Sequence, residues 1–116
     1  MLSIKSKKSL LSIVSLCNRI EEKTSNITEK SFIENEDTKE IVCFNLFQIG
    51  ESVKHFDKET IKKCESISLK KIEEIRIVIV SNYHEIDFHD VWLTVVENIP
   101  PLRKCCEKIL QENSKK

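Results

Sequence analysis

The scarcity of glycine and proline limits what this chain can fold into more than any other feature. The stretch "NLFQIGESVKHF", Asn45 to Phe56, contains the only glycine among 116 residues, and there are only two prolines. Tight turns between strands depend on these two residue types, so a many-stranded sheet is disfavoured. Gly50 itself lies within an apparent helix, where glycine costs roughly 1 kcal/mol relative to alanine. Its position therefore calls for a structural reason.

Apolar residues at helical spacing predict the first two long helices. The first helix should run from about Ile4 to Lys23, and its buried stripe consists of Leu10, Ile13, Val14, Cys17 and Ile20. A short helical segment, "EKSFIEN", follows. Asp37 and Glu40 resemble a capping box, which predicts a helix from there to about Phe56. The polar stretch "DKETIKKCES" fits either a short helix or a loop.

Two further helices follow in the second half of the chain. Ser68 is a suitable N-cap for "LKKIEEIRIVIVSNYH", whose end is rich in β-branched residues. The segment "IRIVIV" alone would favour a strand, but no partner strand is evident, and a buried helix is the better interpretation. Asp87 can cap a helix that begins at Phe88. Pro100 and Pro101 should kink or break it before "LRKCCEKIL" continues as helix.

These elements predict an all-α fold, an antiparallel bundle of four to five helices that forms one domain over residues 1–116. The expected interior is apolar throughout and comprises Leu10, Ile13, Val14, Cys17, Phe44, Ile49, Val53, Ile75, Ile79 and Val91.

Charge and cysteine content exclude several classes of protein. Nineteen basic and nineteen acidic residues balance, so there is no overall attraction to nucleic acid and any anion site must be local. The five cysteines, Cys17, Cys43, Cys64, Cys105 and Cys106, are expected to be reduced cytoplasmic thiols. The cysteines and the three histidines show no metal-ligand spacing, and no metal or cofactor is expected.

The N-terminal stretch "KSKKSLLSIVSLCN" superficially resembles a secretory signal. Two serines interrupt its apolar run and no cleavage pattern follows, so we interpret it as a core helix. No stretch approaches the ~20 apolar residues that a membrane span requires. A cytoplasmic protein without membrane segments is the expectation.

Several motifs in fixed order resemble the HepT-like branch of the HEPN superfamily. They are "NLFQIGES", Arg76 with Tyr83 seven residues later, Asp87 ahead of "VW", and "NIPPL". The resemblance covers about Leu10 to Leu110. It implies a small helical ribonuclease toxin encoded beside a minimal nucleotidyltransferase antitoxin, with RNA as substrate and a homodimer as its assembly.

The catalytic signature of that family is matched only in part. It has an arginine, often an asparagine next, and later a histidine, one further residue and a tyrosine. Here Arg76 and Tyr83 match, whereas Ile77 replaces the asparagine and Ser81 the histidine. Serine cannot carry protons at neutral pH without a base. Weakened or lost RNA cleavage is therefore expected, with His84 as a substitute if the helix extends that far.

The resemblance also assigns roles to other residues. Tyr83 would accept AMP from the nucleotidyltransferase, which requires an exposed hydroxyl. Packing of the second and third long helices would bring Glu51 to Arg76, with Gly50 permitting the approach; otherwise Gly50 serves packing alone and Glu51 is a solvated charge. Lys70 and Lys71 could face phosphate. The alternative function is a non-catalytic helical dimer that binds a nucleotidyltransferase or another protein.

Overall fold

The fold consists of helices joined by short turns. The computed structural model describes residues 2–114, and within that range there is no strand. The helices are α1 (Ile4–Thr24), α2 (Glu29–Glu34), α3 (Glu36–Val53), α4 (Lys58–Lys63), α5 (Leu69–Ser81), α6 (Phe88–Glu97) and α7 (Ile99–Ser114). A single 3₁₀ turn, Tyr83–Glu85, lies between α5 and α6. The predicted all-α bundle is confirmed, and "IRIVIV" is helical.

Side-chain caps fix the starts of α1 to α6. Ser68 and Asp87 cap α5 and α6 as predicted, accepting hydrogen bonds from the backbone of Lys71 and of His89. The predicted capping box at Asp37 is wrong. Asn35 is the cap of α3, and its side-chain oxygen accepts from the Thr38 N–H at 3.0 Å. The cap therefore lies two residues earlier, because asparagine is as good an N-cap as aspartate.

Two central helices, α1 and α3, organise the bundle. α3 packs against α1 on one side and α5 on the other, and α1 also packs against α7. Neighbours run antiparallel: Ser6 near the start of α1 bonds to Asp57 just beyond α3, and Glu21 near its end pairs with Arg103 near the start of α7. The helix predicted to begin at Phe88 is broken near the prolines, as expected. Its first part, α6, ends at Glu97, and its second part, α7, begins at Ile99.

Most predicted core positions are buried, with one clear exception. Leu10, Ile13, Cys17, Ile49, Val53, Ile75 and Val91 lie in the core, while Val14 and Ile79 are half-buried against its edge. The prediction for Phe44 is wrong, since it is 60% exposed. The inward stripe of α3 runs through Val42, Cys43 and Leu46, which turns Phe44 towards the outside.

Candidate active site around Arg76

Gly50 lies where α3 and α5 come closest. A Cβ atom built on Gly50 would lie 2.7 Å from Cδ and 2.8 Å from Cβ of Arg76. Carbon atoms that are not bonded to each other normally stay about 3.5–4.0 Å apart. The missing side chain therefore makes room for the aliphatic stem of Arg76, which explains the cost of a glycine inside a helix.

Two carboxylates hold the guanidinium of Arg76. Its Nη1 donates to Oε1 of Glu51 at 2.9 Å, and its Nη2 donates to Oε2 of Glu73 at 3.4 Å. The Arg76 side chain is 16% exposed. Nη1 and Nη2 keep one N–H each beyond these bonds, and Nε is buried without a partner among residues 2–114. The guanidinium is thus fixed at one edge and retains donors for another ligand.

Lys54 completes a small network of charges. Its Nζ lies 3.2 Å from both carboxylate oxygens of Glu51. The hydrogen bond from Lys54 holds the pKa of the Glu51 carboxyl below its usual value, and the charge of Arg76 acts in the same direction. Two cations and two carboxylates, Glu51 and Glu73, meet here, so their formal charges cancel. Such a site attracts a phosphate less strongly than an unpaired arginine does.

Ser81 and His84 lie in different local structures. The Ser81 hydroxyl donates to the Ile77 carbonyl at 2.6 Å, a bond within its own helix. α5 ends at Ser81, and the exposed His84 lies in the following 3₁₀ turn. The prediction that the helix reaches His84 is wrong, because Asn82 takes an extended φ of −158°. His84 therefore loses the helical position on which its proposed substitution depended.

Comparisons with known proteins decide the family of this chain. The family model described as "Ribonuclease HepT-like" matches residues 13–109.

The chain belongs to the HepT-like ribonuclease family.

It is similar to "Putative RNase MJ1216" of Methanocaldococcus jannaschii, with 33% identity over 77% of this chain and 74% of that protein. "Putative RNase MJ0125" of the same organism is 31% identical over 95% of both chains. "Putative RNase TTE0752" of Caldanaerobacter subterraneus subsp. tengcongensis is 27% identical over 86% of this chain and 89% of its own. No solved structure gives a significant match.

Tyr83 of this HepT-like chain does not have the exposure predicted for it. The residue is half-buried, but its hydroxyl oxygen is inaccessible and finds no hydrogen-bond partner among residues 2–114. Burial is the main cause that raises the pKa of Tyr83. Unfavourable electrostatic interactions with Cys43, Glu40 and Glu36 raise this pKa further. Those three residues lie on α3, so Tyr83 is close to that helix. The expectation of an exposed acceptor is wrong, and this conformation offers no oxygen to a nucleotide.

The two lysines proposed to face phosphate differ in this HepT-like fold. Lys71 is engaged, with its Nζ 2.8 Å from both carboxylate oxygens of Asp90 on α6. Lys70 is exposed and forms no ion pair within the described part of the chain. Lys71 therefore ties α5 to α6, and Lys70 alone remains open to a ligand.

Two residues of the Arg76 network escaped the sequence analysis. Glu73 precedes Arg76 by three residues on α5, and Lys54 follows Glu51 by three residues at the end of α3. Opposite charges three apart on a helix face each other, so this spacing was the available signal. It was missed because such pairs are common on solvated helices.

The described residues also lack two kinds of feature. Between residues 2 and 114, no three histidine, cysteine, aspartate or glutamate side chains cluster as metal ligands. No helix in that range is long and apolar enough to span a membrane.

Proposed function

We propose that this chain is a HepT-like ribonuclease toxin whose RNA cleavage is weakened. The observation that carries the proposal is the fixed position of Arg76 in a chain of a ribonuclease family. Its stem packs against Gly50, and its guanidinium is held by Glu51. Arg76 would bind the phosphate at which RNA is cleaved. Its remaining N–H donors would form charge-assisted hydrogen bonds that strengthen as negative charge builds in the transition state.

RNA cleavage is expected to be weak because the site lacks a residue suited to proton transfer. Cleavage without a metal must remove a proton from the ribose 2′-hydroxyl and protonate the leaving oxygen. General acid–base catalysis contributes typically 10²–10⁴-fold. The Ser81 hydroxyl donates its hydrogen bond to the Ile77 carbonyl. The pKa of serine is also too far from neutrality for acid–base catalysis. Arg76 would thus retain phosphate binding and electrostatic stabilisation, while the proton steps rely on water.

A homodimer is part of the proposal. Ile77 and Val80, which follow Arg76 on α5, are 52% and 63% exposed. Apolar side chains so close to a site are costly to leave in water. A second copy that covered them would place its own Arg76 near the first, so the site would hold two guanidinium groups.

A minimal nucleotidyltransferase is the proposed antitoxin partner. Because the Tyr83 hydroxyl is inaccessible, the proposal does not include AMP transfer to this residue in the conformation described. Binding of the partner over the RNA site would suffice to block access. The chain would act in the cytoplasm, where its RNA substrate is found.

The alternative function is a non-catalytic helical dimer that binds a nucleotidyltransferase or another protein. Two carboxylates on Arg76, together with the absence of an imidazole at position 81, favour it. The two functions differ in whether Arg76 matters for RNA.

The test compares RNA cleavage by the purified protein and two variants, with a chelator present. Arg76→Ala should abolish whatever cleavage the wild type shows. Arg19→Ala is the matched control, since it removes an equal charge from the exposed surface of α1 and should leave cleavage unchanged. Equal loss in both variants would contradict the assignment of Arg76.

A further inference from the structure

Two cysteines from distant parts of the sequence meet beside α7. Cys64 directly follows α4 and Cys105 lies on α7. Their Sγ atoms are 3.1 Å apart, although the two residues are 41 positions apart in the sequence. Both are free thiols. A disulfide needs its sulfur atoms at about 2.05 Å, so bond formation requires them to approach by only about 1 Å.

The segment that carries Cys64 can accommodate this movement. α4 has six residues, and isolated helices shorter than ~12 residues are marginal on their own. The backbone N–H of Cys64 lies within reach of the carbonyls of Thr60 and Ile61, a bifurcated arrangement at a helix end. A small rotation of this last turn would bring the sulfur atoms together.

The two thiols differ in their access to solvent. Cys64 is completely buried, whereas Cys105 is half-exposed. The other cysteines, Cys17, Cys43 and Cys106, are buried in the core. An oxidant dissolved in water therefore reaches Cys105 first, and Cys64 is the thiol in contact with it.

We propose that Cys64 and Cys105 form an intramolecular disulfide when the protein meets a peroxide. The Cys105 sulfur attacks one peroxide oxygen, the O–O bond breaks, and hydrogen peroxide leaves one molecule of water and a sulfenic acid on Cys105. The Cys64 sulfur then attacks the sulfenic sulfur, and the second oxygen departs as water with the Cys64 proton. Two thiols are oxidised by two electrons in total, and the peroxide is reduced to two waters.

The order of the two steps follows from the environments of the thiols. Burial, followed by the hydrogen bond with Cys105, raises the pKa of Cys64. A thiol so disposed is a poor first nucleophile towards a dissolved oxidant. Cys64 is suited to the second step because its partner sulfur is already in contact.

The disulfide would enclose α5 and α6, with Arg76 and Glu73, within one covalent loop, whereas Glu51 and Lys54 lie outside it. Closing a loop of this length removes conformations from the unfolded chain and stabilises the folded state. The oxidised protein should therefore unfold at a higher temperature than the reduced protein, by at least about 5 °C.

The experiment treats the full chain with hydrogen peroxide and measures intact mass, the linked peptides and Tm. The wild type should lose the mass of two hydrogen atoms, yield a Cys64–Cys105 peptide and gain thermal stability, all reversed by dithiothreitol. Cys105→Ser and Cys64→Ala should show none of these changes. Cys43→Ala is the matched control, because it removes a thiol outside the pair, and it should behave as the wild type.

Three results would overturn the proposal. Peroxide could add oxygen to the wild type without removing hydrogen, or link two chains rather than one. Peptide mapping could also assign the bond to a different pair of cysteines. If Cys64→Ala does not fold, Cys105→Ser at the half-exposed position and the peptide map of the wild type still decide the outcome.

Discussion

The stem of Arg76 occupies the space that a side chain at Gly50 would fill, with 2.7 Å between its Cδ and a Cβ built on Gly50. The same contact brings the guanidinium within 2.9 Å of Glu51, the next residue on α3. The ion pair therefore depends on the glycine, because a larger residue at position 50 would push Arg76 away from the Glu51 carboxylate.

Gly50→Ala should destabilise the protein in spite of alanine's better helix propensity. The propensity gain is about 1 kcal/mol, and overpacking costs typically 1–3 kcal/mol. Because Cβ of Arg76 is also only 2.8 Å from the built atom, rotation of the side chain alone cannot relieve the clash. We expect a net loss of about 1 kcal/mol in chemical denaturation.

Ser52→Ala on the same helix is the control for this prediction. It changes propensity without meeting Arg76 and should leave stability nearly unchanged. A Gly50→Ala protein more stable than the wild type would show that the close approach carries no strain.

The Glu51 carboxyl should titrate below its usual range. Lys54 contributes most to this lowering through its hydrogen bond, and Arg76 adds to it. Because the folded-state pKa is lowered, the associated stability is present above the unfolded pKa and is lost as pH falls through the folded value. Carboxyl NMR titration should show the Glu51 pKa moving towards normal in Lys54→Ala. An unchanged pKa in that variant would contradict the network.

Tyr83→Phe should stabilise the protein. A buried hydroxyl without a partner costs about 1–3 kcal/mol, and phenylalanine removes that cost while retaining the ring contact with Phe88. Thermal unfolding at neutral pH should give a higher Tm. A lower Tm would mean that the hydroxyl has a favourable contact in solution.

The same variant tests the behaviour of Tyr83 at high pH. The folded-state pKa of Tyr83 is raised, chiefly by burial. Its stability contribution is therefore full below the unfolded pKa and falls as pH rises from there through the folded value. The wild type should lose more stability than Tyr83→Phe above about pH 10. Parallel losses would assign the effect to the buried cysteines, whose pKa values are also raised.

Light scattering should give twice the chain mass at micromolar concentration. Val80→Glu should reduce it to the mass of one chain, because a charge in a buried apolar interface is costly. Val96→Glu is the control, since Val96 is 53% exposed on α6 and lies beside the end of α1. A monomeric wild type would contradict the proposed assembly.

Much of the fold follows from local signals in the sequence. The caps Ser68 and Asp87 and the apolar stripe of α1 act within one or two helical turns, so they can be recognised without knowledge of the tertiary fold. Phe44 shows the limit: periodicity identifies a stripe, but the neighbouring helices decide which side of α3 is inward. The end of α5 was misjudged for a related reason, because no glycine or proline marks Asn82.

The candidate site also has features that the sequence predicts and features that depend on tertiary packing. Arg76, Glu51 and Gly50 were predictable through the resemblance, and the structure brings them into contact. The burial of the Tyr83 hydroxyl depends on where the 3₁₀ turn lies in the bundle, and the contact between Cys64 and Cys105 depends on how α4 docks on α7. Neither relation has a local sequence signal.

The initial rate of RNA cleavage by the wild-type protein, in the presence of a chelator, tests the central claim most directly. Enzymes commonly turn over at about 10 s⁻¹, and loss of acid–base catalysis costs at least about 100-fold. We therefore predict a rate below about 0.1 s⁻¹, with any residual cleavage lost in Arg76→Ala. Cleavage near 10 s⁻¹ that persists in Arg76→Ala would contradict both the weakened catalysis and the assignment of the site.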